Sequence, residues 1–114
     1  MSKGDPRYLE ILDDLRELHL KKSADYGVGE DPLANLRASE RFGIPAWVGA
    51  MVRAQDKMQR VQAFVRNGSL KNESLEDSLL DGAAYFILAL VLYRESQGPK
   101  LYRDFAEPEP DRCG

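Results

Sequence analysis

The sequence predicts an all-α protein, an antiparallel bundle of about four helices. Apolar residues recur at spacings of three and four along most of the chain, as in helices that bury one face. Helix-start residues precede each of four such segments, and glycine or a polar turn follows it. No segment reads as a credible strand, and the predicted loops are short, which favours antiparallel neighbours.

The first helix is predicted at roughly residues 6 to 25. Asp5 is a good N-cap, Pro6 suits the first helical position, and Gly27 is a natural stop. The apolar residues at helical spacing are Tyr8, Ile11, Leu12, Leu15 and Leu18. One face of this helix is therefore expected to pack.

The second and third helices are predicted from the same signals. A short helix runs from an Asp31 cap and Pro32 to Gly43, and a longer one runs from Pro45 to the Asn67-Gly68 stop. One apolar stripe on the longer helix is formed by Trp47, Ala50, Met51, Ala54, Met58, Val61 and Val65. This stripe is expected to face the core, with Trp47 as a packing residue.

The fourth helix begins at a cap provided by Asn72 or Ser74, and acidic residues in its first turn suit the helix dipole. Past Gly82 nearly every position is apolar, so this part of the helix has no evident solvent face. The helical spacing of apolar residues ends after Arg94. We expect a helical domain at 1–96 and a loosely attached tail at 97–114, with one turn around Leu101–Phe105 docking on the body.

Length and charge limit the classes of function. With 114 residues the chain is one domain with a tail, small enough that a homo-oligomer is expected. A net charge of −3 argues against a duplex nucleic acid partner held by a basic surface. The apolar run Gly82–Tyr93 is too short to span a membrane, and the first ten residues lack a signal-peptide core. Cys113 is the single cysteine, so a cytoplasmic location without disulfides is expected.

The fourth helix carries acids that lead into its apolar part. Glu73, Asp77 and Asp81 recur every four residues and drift along one side. Carboxylates at this spacing have attachment points about 5–6 Å apart and can reach one Mg²⁺, which prefers oxygen ligands. An unpaired buried carboxylate is costly, so a metal or cation is expected beside Asp77 and Asp81. For Glu73 alone, a solvated acid of the first helical turn is the favoured interpretation.

The third helix carries a companion group on one face. Asp56 stands among three cations, Arg53, Lys57 and Arg60, at helical spacing. Asp56 can be a further metal or catalytic ligand while the cations hold phosphate oxygens. Pairing within the helix explains Asp56 equally well.

A third polar cluster ends the first helix. Lys22 is either an ordinary partner of the helix dipole or a further phosphate ligand. Asp25 and Tyr26 are candidates for nucleotide binding, and a turn-forming role for Asp25 is as good an explanation. Asn35 is either a base-recognition residue or a surface residue.

These pieces occur in one order, as "KKSADYG", "DPLANLRASERFGI", "RAQDKMQR" and "NESLEDSLLDGAAYFILAL". Together they resemble the phage and prophage nucleotide-modification-associated proteins, often labelled MazG-like, over roughly Leu18 to Leu92. The resemblance implies a role in nucleotide metabolism. It extends more distantly to all-α nucleoside triphosphate pyrophosphohydrolases, which hold Mg²⁺ with E-x-x-E and E-x-x-D motifs. Here Asp56 stands alone in place of the first pair, and the later acids are spaced by four.

The leading hypothesis is therefore a Mg²⁺-dependent nucleoside triphosphate pyrophosphohydrolase in phage or bacterial nucleotide metabolism, with a site shared between subunits. One rival is a helical oligomer that binds or sequesters a nucleotide without turnover. The other is a purely structural bundle in which the acids form interface salt bridges.

Overall fold

The computed structural model describes residues 3–25 and 33–98, and all of their regular structure is helical. The helices are α1 (Pro6–Asp25), α2 (Ala34–Arg37), a 3₁₀ helix (Ala38–Phe42), α3 (Ala46–Asn67) and α4 (Leu75–Ser96). The all-α prediction is confirmed. The chain divides into two compact units, one up to Asn35 and one from Leu36, and each is described by itself.

Helix α1 has the predicted bounds. The Asp5 carboxylate accepts the backbone N–H of Arg7 at 2.8 Å and pairs with its guanidinium at 2.6 Å, so it holds the first turn. The same pairing lowers the pKa of Asp5 and raises that of Arg7. The predicted stop and cap at Gly27, Asp31 and Pro32 lie outside the described residues, as does the tail from residue 99.

The predicted second helix is split into α2 and the 3₁₀ helix, which ends at Gly43 with a φ of 76°. The 3₁₀ helix lies close to the start of α3. Ser39 donates its hydroxyl to the Ile44 carbonyl at 3.0 Å, and a Cβ built at Gly49 of α3 would lie 2.8 Å from the Ser39 Oγ. The absence of a side chain at Gly49 therefore lets the 3₁₀ helix approach α3.

Helices α3 and α4 form a hairpin whose ends match the predicted signals. Gly68, with a φ of 78°, donates to the Phe64 carbonyl at 2.7 Å and ends α3. Of the two candidate caps of α4, Ser74 is the one used: its hydroxyl accepts the Asp77 N–H at 3.0 Å. Glu73 therefore precedes the helix instead of lying in its first turn.

Small residues form the contact between α3 and α4. Ala46, Ala50 and Ala54 are buried on α3, and Ser78, Ala89 and Leu92 are buried on α4. Apart from Leu92 these side chains are small, and small side chains let two helices approach closely. Trp47 packs edge-on against Tyr93, with ring centroids 5.7 Å apart, as expected of a packing residue.

Of two predictions about burial, one holds only in part and the other was wrong for the single chain. On α3 the predicted core stripe is only partly buried, since Met58 and Val65 are exposed. On α4 a solvent face exists beyond Gly82, formed by Phe86, Ile87 and Leu90 among others. The alanines turn the two helices toward each other and leave the large side chains at the flanks.

An ion pair ties the start of the second unit to the end of α4. Both guanidinium Nη atoms of Arg37 contact the Glu95 carboxylate, one of them at 3.1 Å from Oε1. Such bidentate geometry is the stronger form of the pair. Among the helices described, none has the length and apolarity that crossing a membrane requires.

Candidate functional site

A charged cluster lies where α3, the loop before α4 and α4 meet. We call Lys57, Arg60, Glu73, Ser78 and Asp81 the acid–base cluster. The Lys57 Nζ lies 3.2 Å from Asp81 Oδ2 and 3.5 Å from both carboxylate oxygens of Glu73. One cation is therefore held between two carboxylates that are eight residues apart in sequence.

Glu73 makes the most contacts within the acid–base cluster. It accepts the Ser78 hydroxyl at 2.7 Å and lies 3.1 Å from the Arg60 Nη1. The Ser78 hydrogen bond is the main cause that lowers the pKa of Glu73, and the charges of Lys57 and Arg60 lower it further. Glu73 is consequently held ionised by three neighbours, although it lies just outside the helix.

The acid–base cluster is sheltered from solvent without being fully buried. The side chains of Lys57, Glu73 and Asp81 are 16%, 18% and 20% exposed, whereas Arg60 is 46% exposed. Electrostatic interactions are stronger in such a place than on an open surface, because fewer waters screen them. Arg60 lies at the solvent-facing edge, where an incoming anion would meet it first.

The other predicted ligands on α3 and α4 are exposed. Asp56 and Arg53 of α3 are exposed, and so is Asp77 in the first turn of α4. No ion pair joins Asp56 or Asp77 to another residue of the described ranges 3–25 and 33–98. Lys57 faces α4, and Asp56, one residue earlier, lies about 100° around the helix. The α3 side chain that contacts Asp81 is therefore Lys57, and not Asp56.

The remaining candidates lie in the first compact unit. Lys22 is exposed near the end of α1, and Asn35 is exposed on α2. Asp25 is the last residue of α1, and its side chain is outside the described part of the chain, as is Tyr26. The sugar or base contacts predicted for these residues stay predictions.

Sequence reasoning missed Ser78. It is the one fully buried polar side chain among the described residues and connects α4 to Glu73. A signal was present: Ser78 lies 11 and 14 residues before Ala89 and Leu92, which are the buried positions of the same helix. That spacing keeps a residue on one helical face.

The donor chemistry of the acid–base cluster fits Mg²⁺. Within the described residues, no group of three or more histidine, cysteine, aspartate or glutamate side chains is placed to hold a metal. Mg²⁺ is commonly held by one or two carboxylates, completed by waters and substrate phosphates. Glu73 and Asp81 already face a single cation, the Lys57 ammonium, so these two are the residues that could hold the metal.

An open groove adjoins the cluster between α3 and α4, with a volume of about 170 Å³. Lys57 and Ser78 line it together with apolar residues, among them Met58, Leu79 and Phe86. The acid–base cluster therefore borders an apolar surface.

Comparison of the chain with protein family models, with curated proteins and with solved structures gave no match.

Proposed function

We propose that the chain is a Mg²⁺-dependent nucleotide pyrophosphohydrolase that cleaves a nucleoside triphosphate to the monophosphate and pyrophosphate. The observation that supports this function is the convergence of Glu73 and Asp81 on one cation, with Arg60 at the solvent-facing edge. The sequence resemblance to MazG-like proteins points to the same substrate class.

In this proposal Glu73 and Asp81 hold the metal. Bound Mg²⁺ would supply polarisation of the phosphoryl group and a lowered pKa of bound water. Ser78 keeps Glu73 oriented through its 2.7 Å hydrogen bond. Because the hydrogen bond and the nearby cations keep the Glu73 pKa low, the carboxylate is ionised and ready to bind a cation at neutral pH.

The cations of α3 bind the phosphate chain. Lys57 occupies the position between the carboxylates, so a divalent ion would displace its ammonium group toward the substrate. Arg60 and Arg53 present guanidinium groups that suit bidentate contact with phosphate oxygens. Lys57 would thus neutralise the acids in the free protein and the phosphates in the complex.

Pyrophosphate release tests the proposal. The full-length chain is incubated with a panel of ribo- and deoxyribonucleoside triphosphates, with Mg²⁺ or with a chelator. We expect turnover only with Mg²⁺. Asp81→Asn and Glu73→Gln should each reduce it by about 100-fold or more, since metal binding contributes several kcal/mol.

A matched control is available on the same helix. Glu76 is an exposed first-turn acid outside the acid–base cluster, and Glu76→Gln should leave turnover unchanged. Asp77→Asn distinguishes the sequence prediction from the geometry. Loss of turnover would support the predicted ligand role, and unchanged turnover would agree with the exposed position of Asp77. Full activity of Asp81→Asn would refute the assignment.

A second function is favoured by one observation. Lys57 already provides both carboxylates with a counter-charge, so the cluster is balanced without a metal. The chain would then bind a nucleotide through Arg53 and Arg60 and not hydrolyse it. Calorimetric binding that is unchanged by a chelator, with no pyrophosphate released, would select this alternative.

A further inference from the structure

One side of α4 presents a regular apolar stripe to solvent. Leu79, Phe86, Leu90 and Tyr93 are 54%, 52%, 48% and 42% exposed, and Ala83 between them is exposed as well. These five residues, which we call the α4 seam, follow one another at spacings of four and three. That is the heptad spacing with which one helix packs along another.

The α4 seam has the area of an interface. An aromatic side chain has a surface of about 150–250 Å². Phe86 and Tyr93 are about half exposed, so together they leave on the order of 200 Å² of apolar surface in contact with solvent. With the aliphatic residues and neighbouring Ile87, the patch reaches on the order of 500 Å², near the upper size for an ordinary monomer. A stable interface takes about 800 Å² per partner, slightly more than half of it apolar. The exposed apolar area of the patch is therefore about the apolar area that one partner contributes to a stable interface.

We propose that the α4 seam is the contact of a symmetric homodimer, in which α4 of a second copy packs antiparallel on it. A two-fold contact presents the same surface from both copies, so the seam must fit its own reversed order. The proposal does not depend on whether the acid–base cluster binds a nucleotide.

The reversed seam fits itself in size. When Leu79 of one copy is placed opposite Leu90 of the other, Ala83 falls opposite Phe86, and each pairing occurs twice by symmetry. Leucine then meets leucine, and the large Phe86 meets the small Ala83, so neither layer is overfilled or empty. A parallel arrangement would place Phe86 against Phe86 and Ala83 against Ala83, which overfills one layer and leaves the other empty.

The ends of the α4 seam fit in charge. Glu76 lies before Leu79, and Arg94 follows Tyr93 at the last turn of α4. In the antiparallel arrangement Glu76 of each copy lies near the last turn of α4 of the other, the turn that carries Arg94, while parallel helices would bring the two Glu76 side chains together. Antiparallel helix dipoles also attract. Charge and size therefore select the same partner, a second copy of this chain.

Sedimentation equilibrium of the full-length chain tests the dimer. We expect twice the chain mass of 12.9 kDa. Phe86→Asp should weaken the dimer by roughly 30-fold or more, as expected for a central aromatic residue of an interface. Val52→Asp is the matched control, because Val52 is 56% exposed on α3 and lies outside the seam. It should leave the dissociation constant unchanged.

A size exchange tests the same surface without adding a charge. Ala83→Phe alone should weaken the dimer, because the introduced ring then opposes Phe86 of the other copy. The double variant Ala83→Phe, Phe86→Ala should restore it. Circular dichroism of each variant establishes that the helices are intact.

Cross-linking tests the direction of the helices. In a background with Cys113→Ser, Leu79→Cys and Leu90→Cys proteins are treated with a short bismaleimide, separately and as an equal mixture. Only the mixture should cross-link efficiently, because like positions lie 11 residues, or about 16 Å along the helix, apart in the antiparallel register. Cross-linking of each protein alone would overturn the antiparallel arrangement. A wild-type monomer at the highest soluble concentration, or a Phe86→Asp variant as dimeric as the wild type, would overturn the interface.

Discussion

Replacing Lys57 by methionine removes the cation shared by two carboxylates while keeping most of its apolar stem. Lys57 contacts Asp81 at 3.2 Å and Glu73 at 3.5 Å. At such distances the gross attraction is about 5 kcal/mol per pair for an effective dielectric constant of 20, and desolvation offsets most of it. Exposed pairs contribute about 0.2–1 kcal/mol, and breaking a buried pair costs about 3–5 kcal/mol.

With side chains 16–20% exposed, the pairs of Lys57 lie between these limits. We therefore expect Lys57→Met to lower the free energy of unfolding by about 2 kcal/mol, with a coupling to Asp81 of about 1–2 kcal/mol. The assay is urea unfolding at one fixed protomer concentration, on the wild type, Lys57→Met, Asp81→Asn and the double variant. The single Asp81→Asn variant should cost less than Lys57→Met, because Glu73 keeps its lysine.

Adding Mg²⁺ extends the same experiment. In Lys57→Met the two carboxylates have lost their shared cation, so Mg²⁺ should recover part of the lost stability, and it should not do so when Asp81 is replaced by asparagine. A coupling energy below about 0.3 kcal/mol would refute the reasoning, because Lys57 and Asp81 would then contribute independently.

Three further predictions concern local features. Because the Glu73 pKa is lowered on folding, its contribution to stability is present above the ordinary value of 4.5 and is lost as the pH falls below it. The pH dependence of unfolding between about pH 5 and pH 3 should therefore be shallower in Glu73→Gln, and also in Ser78→Ala, which lacks the main hydrogen bond; curves parallel to the wild type would contradict this. Ser74→Ala should cost about 1 kcal/mol in thermal unfolding as a lost N-cap, whereas Ser74→Asp should be tolerated; equal losses would argue against a cap. Gly49→Ala should cost about 1–3 kcal/mol, since the new Cβ would lie 2.8 Å from the Ser39 Oγ, and an unchanged melting temperature would show that the 3₁₀ helix moves aside freely.

The helix bounds could be predicted because their causes are local. Pro6 and Gly68 act through backbone preferences that the sequence alone reveals. The close approach of the 3₁₀ helix to α3 could not be predicted in this way, because it involves Ser39 and Gly49, which lie in different helices.

The candidate site was predicted in part. Asp81 and the loop acid Glu73 do come together, but only the choice of Ser74 over Asn72 as cap places Glu73 outside the helix. The face of α3 that contacts α4 was harder to predict. The predicted stripe included Ala50 and Ala54, which are buried, but also Met58 and Val65, which are exposed. The face of α3 that meets α4 therefore carries Lys57 to the acids instead of Asp56.

The alanine-lined contact of α3 and α4 has a thermodynamic consequence. Ala46, Ala50, Ala54 and Ala89 withdraw few apolar atoms from water, so this hairpin by itself should unfold with a small heat-capacity increment. A small increment gives a flat stability curve. Calorimetry measures this increment directly. A sharp transition with a large increment, and a melting temperature that rises with protein concentration, would mean that a second molecule supplies much of the cooperative unit.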